Sequence, residues 1–74
     1  MNMNHTFRSS EREKLEIIAG LLQQADYRIS RIREDGNQFV VTARLLGRAT
    51  VEEERERIKG IVQHFDVEEW TFHD

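Results

Sequence analysis

The sequence predicts an α+β domain whose elements run in the order βαββαβ. Three observations predict it. "MNMNHTFR" alternates strictly and "QFVVTARLL" divides into two faces, as half-buried strands do. "EREKLEIIAGLLQQA" and "TVEEERERIKGIVQHF" repeat apolar residues at helical spacing. A D-G-N turn signal then separates the second strand from the third. At 74 residues the chain is bounded at one domain, 1–74.

In the first strand Met1, Met3, His5 and Phe7 share one face and Asn2, Asn4, Thr6 and Arg8 the other. The first helix opens with a Ser10-x-x-Glu13 capping box. It carries Leu15, Ile18, Leu22 and Ala25 at helical spacing, widened by Leu21, which places it from Glu11 to Ala25.

Register decides what the hairpin "YRISRIREDGNQFVVTARLLGR" buries. A two-residue Asp35-Gly36 loop opposes Arg28 to Ala43 and turns Tyr27 and Ile29 outward. A three-residue Asp35-Gly36-Asn37 loop pairs Tyr27 with Leu45 and Ile29 with Ala43 instead, and a two-residue turn with a bulge near Arg31 rescues the same register. Burying an unpaired arginine costs more than a bulge, so the shifted register is expected. Phe39, Val41, Ala43 and Leu45 then face the core. Arg28, Ser30, Ile32, Val40, Thr42 and Arg44 lie on the other face, extended by Leu46 and flanked by Thr6 and Thr71. Arg31 is expected to point inward near the sheet end and snorkel to water.

The second helix has its own box, Thr50-x-x-Glu53, and a stripe of Val51, Ile58, Ile61, Val62 and Phe65. Its run "EEERER" reads as a solvated face with Glu53 paired to Arg57. Gly60, unfavourable inside a helix, points to close helix–sheet packing. "VEEWTFHD" ends the chain as a short strand with Trp70 and Phe72 on one face, closing on His73-Asp74. Right-handed crossovers place both helices on one side of the sheet. The expectation is a ferredoxin-like sandwich: a four-stranded antiparallel sheet in the order 4-1-3-2, two helices on one face and the other face open.

Net charge is −3, which gives no global attraction to phosphate. An RNA-recognition surface needs outward aromatics on the central strands, and the pattern places none there, so nucleic acid is disfavoured. His5, His64 and His73 fall on three different elements, without cysteine and without ligand spacing, so no metal or other cofactor is expected. His5 reads as a satisfied, semi-buried histidine and His64 as a solvated helix-end residue. Ser9 and Ser10 read as cap residues, and no glycine-rich phosphate loop follows a strand, so no catalysis is expected. No apolar run approaches the roughly 20 residues that span a bilayer. The N-terminus lacks the features of a signal peptide, which points to the cytoplasm. What remains is contact with protein, and the expected interaction face is Arg28, Ile32, Val40, Thr42, Arg44 and Leu46.

"YRISRIRED" after the first helix, "FVVTARLLGR" with its mid-strand alanine, and the tryptophan-bearing close "VEEWTFHD" resemble one domain type. The chain resembles the ACT-like C-terminal cytosolic domain of MgtC/SapB-family membrane proteins over nearly its whole length. That resemblance implies a non-catalytic regulatory or assembly domain of a larger inner-membrane protein linked to magnesium homeostasis or virulence. Its partner would be a second copy or the membrane portion of its own chain. ACT domains that bind amino acids use a glycine-containing loop after the first strand; here that loop is "RSSERE", without glycine. The alternative is a stand-alone module that binds RNA or protein through the open sheet face.

Overall fold

Strand alternation at the start of the chain becomes β1 (Asn4–Ser9), with His5, Phe7 and Ser9 buried and Asn4, Thr6 and Arg8 half-buried. The structure, a computed structural model, describes residues 3–73. Met1 and Asn2, expected on β1, and Asp74, expected on the last strand, lie outside the described residues. The other elements are α1 (Arg12–Gln24), β2 (Tyr27–Ile29), β3 (Arg33–Asp35), β4 (Gln38–Leu45), α2 (Val51–Phe65) and β5 (Glu69–His73).

The sheet is antiparallel and five-stranded, in the order β2-β4-β1-β5, with β3 also pairing β4. It therefore differs from the expected four-stranded sheet in strand count and numbered order. The difference lies at one edge, where a single expected strand is broken into β2 and β3. Helix residues Leu15, Ile18, Leu22 and Ile58 join Phe7, Tyr27, Val41, Ala43 and Val67 in one buried cluster, so both helices cover the same sheet face. Each large aliphatic or aromatic side chain buried there contributes about 1.5–3 kcal/mol.

The break has a physical cause. Tyr27 pairs with Leu45 and Ile29 with Ala43, the register that buries Tyr27. Nearer the turn Asp35 pairs with Gln38 and Arg33 with Val40, so the chain turns on Gly36-Asn37 alone. Gly36 stands at the first turn position with φ 66°, a conformation glycine adopts without steric cost. Of the two expected devices the structure takes the bulged one: a two-residue turn, here at Gly36-Asn37 rather than Asp35-Gly36, with one extra residue between Ile29 and Arg33. That residue inverts the alternation. Ile32 packs against the helix-side core and Arg31 is exposed, the reverse of both expectations.

Two helix expectations also change. Leu21 and Ala25, counted in the apolar stripe of α1, are exposed. Gly60 has nothing within 4 Å of the position a Cβ would take, so it does not serve close packing. Gly60→Ala is therefore expected to stabilise the fold by about 0.5–1 kcal/mol, read as a higher urea midpoint at unchanged m-value. A lower midpoint would show that the site is crowded.

Candidate functional site

The α2 stripe has a gap between Val51 and Ile58, and Glu54 fills it. Glu54 lies three residues after Val51 and four before Ile58, so helical geometry turns it to the core with them. It is fully buried, as is His5 on β1, and Tyr27 on β2 is 2% exposed. A buried charge is tolerated only where hydrogen bonds and partners compensate it. Here His5 Nε2 lies 2.8 Å from Glu54 Oε2, and the Tyr27 hydroxyl donates to the same carboxylate at 2.6 and 2.8 Å from its two oxygens. Arg57, one turn further along α2, brings Nη1 to 3.5 Å from the Tyr27 oxygen and 3.9 Å from Glu54 Oε1.

Trp70 on β5 sets the protonation of this cluster. Its indole nitrogen is a donor only, and it lies 3.1 Å from His5 Nδ1. Nδ1 is therefore the acceptor, Nε2 carries the proton and donates to Glu54, and His5 is neutral. Burial lowers the His5 pKa, against the opposing pull of the Glu54 carboxylate. Burial and the neighbouring Glu54 carboxylate together push the Tyr27 hydroxyl well above its ordinary range. Three elements, β1, β2 and α2, thus meet at one carboxylate, and β5 joins them through His5. The arrangement pins α2 to the sheet, and its hydrogen-bonding side chains are buried.

Glu54 was hidden in the acidic run read as a solvated face. Its spacing on the Val51–Ile58 stripe was the signal that could have found it. The expected Glu53–Arg57 pair does not form either. Glu53 closes the expected capping box, accepting from Thr50 N at 2.9 Å while Thr50 Oγ1 accepts from Glu53 N at 3.1 Å. The Ser10 box is absent. The α1 N-cap is Glu11, and the Ser10 N–H and hydroxyl both donate to Glu68 at 2.8 Å. Ser9 donates to Glu68 at 2.9 Å and Lys14 approaches it at 3.3 Å. These donors hold the Glu68 carboxyl down at about 2. The strand–helix loop "RSSERE" is thus closed on a carboxylate of its own chain.

On the uncovered face the outward residues form rows across the strands. His73, Asn4, Arg44 and Arg28 make one, and Thr71, Thr6 and Thr42 the next. Ser30 extends the second row, its hydroxyl accepting from Thr42 N at 2.9 Å. Glu69, Arg8, Val40 and Arg33 form the third. The structure brings Arg28, Thr42 and Arg44 of the expected interaction face together. It does not bring the aliphatics with them. Val40 is fully buried between Arg8 and Arg33, whose aliphatic stems are long enough to shield it, and Ile32 packs inward. Leu46, 51% exposed, lies beyond the end of β4. The face is therefore polar, and the exposed apolar area is elsewhere.

A cleft of about 230 Å³ is lined by Met3, Leu45, Gly47, Arg48 and Ala49, below the usual size of a small-molecule site and apart from the buried cluster. Among the described residues, no helix is long and apolar enough to cross a membrane, and no group of three or more His, Cys, Asp or Glu could hold a metal ion. A scan against protein-family models matches none, and a comparison with curated proteins finds no match.

Proposed function

We propose that the chain is a non-catalytic domain that regulates or assembles a larger protein through protein–protein contact, with a second copy as the first partner. The observation that carries this reading is on α1. Ile17 and Leu21 are 53% and 45% exposed, one helical turn apart, and Gly20 between them leaves the backbone open to close approach. Antiparallel packing of two α1 helices about a two-fold axis sets Ile17 of one against Leu21 of the other. Glu13 then meets Gln24, a carboxylate facing an amide donor.

The resemblance to the cytosolic ACT-like domain of MgtC/SapB-family proteins supports the same reading. Taken as one interrupted edge strand, β2 and β3 give the order 4-1-3-2 of a ferredoxin-like sandwich. In that setting the chain is a cytosolic part of an inner-membrane protein tied to magnesium homeostasis or virulence. Sedimentation equilibrium from micromolar to millimolar protein tests the contact. The mass is expected to rise toward twice the monomer's, and Ile17→Glu/Leu21→Glu to hold it at the monomer. A wild-type chain that stays monomeric throughout overturns the α1 contact.

The alternative, a module that works through the open sheet face, is favoured for a protein ligand by the opposed Arg28 and Arg44.

A further inference from the structure

We infer that the Arg28–Arg44 corner of the uncovered sheet face binds a short acidic segment of a partner protein, an inference that rests on the chain acting by protein–protein contact. Arg28 and Arg44 are directly opposed on β2 and β4. Like charges so placed repel one another. Among the described residues neither forms a salt bridge. Arg8, by contrast, is paired with Asp35 at 2.8 Å. Each free guanidinium keeps a planar fork of N–H donors that matches a carboxylate. Polar side chains continue across the face, through Asn4 and His73 in the arginine row and Thr42, Thr6 and Thr71 in the next. The corner is also open sideways, because β2 is the sheet edge.

Charge placement selects the occupant. Two acids in the rows of this face, Glu69 and Asp35, lie toward its other end, beside Arg8 and Gln38, while Asp26 precedes β2 at the near end. A phosphate backbone laid along the sheet would run into them, whereas a segment with two nearby carboxylates satisfies both arginines and stops short. The rows of this face hold no phenylalanine, tyrosine or tryptophan on which a base could stack. The net charge of −3 opposes long-range capture of any anion, and the more so the larger its charge, which favours a short segment over a polyanion or an anionic membrane.

Fluorescence anisotropy with three labelled probes tests this: a decapeptide of alternating Glu and Thr, its Gln-Thr counterpart, and oligouridylate. The Glu peptide is expected to bind roughly tenfold tighter than the Gln peptide at low salt, as two exposed ion pairs allow. Arg28→Gln/Arg44→Gln is expected to remove that preference while leaving the circular dichroism unchanged. Its melting temperature should equal or exceed the wild type's, because the like-charge repulsion is gone. Should the double variant misfold, Arg28→Gln alone, at an exposed position, is expected to weaken the Glu peptide several-fold. Equal binding of the two peptides, tighter binding of oligouridylate, or unaltered binding by a folded variant overturns the inference. Ile17→Glu/Leu21→Glu, on the opposite side of the molecule, should keep the peptide affinity. Failure of α1 self-association is thereby distinguishable from failure of this site.

Discussion

Glu54→Ala is expected to destabilise the domain by about 3–5 kcal/mol, the cost of removing one partner from a buried polar pair. The substitution leaves the His5 Nε2–H and the Tyr27 hydroxyl without acceptors in a dry interior, and unsatisfied buried groups cost about 1–3 kcal/mol each. A chain of this length has about 4–11 kcal/mol of stability in total at ordinary values per residue, so the loss takes a large part of it. Urea unfolding followed by Trp70 fluorescence reads the effect. Glu54→Gln keeps the shape but sets an amide N–H₂ against a donor, and an intermediate loss is expected. The triple variant His5→Phe/Tyr27→Phe/Glu54→Leu should recover most of the loss, because apolar groups replace the carboxylate and both side chains buried against it. A Glu54→Ala midpoint within error of the wild type's would sink the account of the cluster. For the same reason a charge placed at Val40 tests folding rather than association, since Val40 is fully buried.

Acidification should weaken the fold through His5, and the sign follows from the direction of its shift. The His5 pKa is lowered in the folded state by burial, so the unfolded chain takes up the proton first. The stability is fully present above the unfolded value of about 6.5. It is lost as the pH falls from there toward the folded value, at no more than about 1.4 kcal/mol per pH unit for one proton. Protonation puts hydrogen on Nδ1, which the indole N–H of Trp70 already faces at 3.1 Å. That bond cannot survive, and β5 loses the Trp70 hydrogen bond to β1. Between pH 7 and pH 5 the urea midpoint should fall together with a change in Trp70 emission. His5→Gln, which cannot titrate, should flatten the dependence. Equal slopes in the two proteins would remove His5 from the explanation. Glu68, held at about 2, contributes separately: its stabilisation is present above the unfolded carboxyl value and is lost as the pH falls toward 2. Between pH 5 and 7 the comparison with His5→Gln therefore reads His5 apart from Glu68.

Much of the fold was legible because its signals are local. The two-residue period of "NHTFRS" and the helical period of "KLEIIAGLL" each require only neighbouring residues. The Thr50–Glu53 box closes over three residues, and it formed as read. The hairpin register was legible too, since only one pairing buries Tyr27, and the bulged two-residue turn was one of the two devices expected, but local sequence did not choose between them. Gly36-Asn37 and the extra residue before Arg33 give the same pairing as a longer loop, and the choice inverted the fates of Arg31 and Ile32.

Local periodicity settled the two helices, the strands β1, β4 and β5, and which residues of β4 face the helices. Hydrophobic periodicity specifies these wherever one face must leave water. The roles of the polar residues came from long-range folding instead. His5 meets Glu54 across 49 positions and Ser10 meets Glu68 across 58, so neither partner is written in local spacing. A carboxylate in an acidic helix looks solvated until the sheet beneath it supplies an imidazole and a phenol. A pair of arginines looks like scattered surface charge until β2 and β4 set them side by side. Hydrogen bonds and charges act over a few ångströms, and only folding brings those distances about.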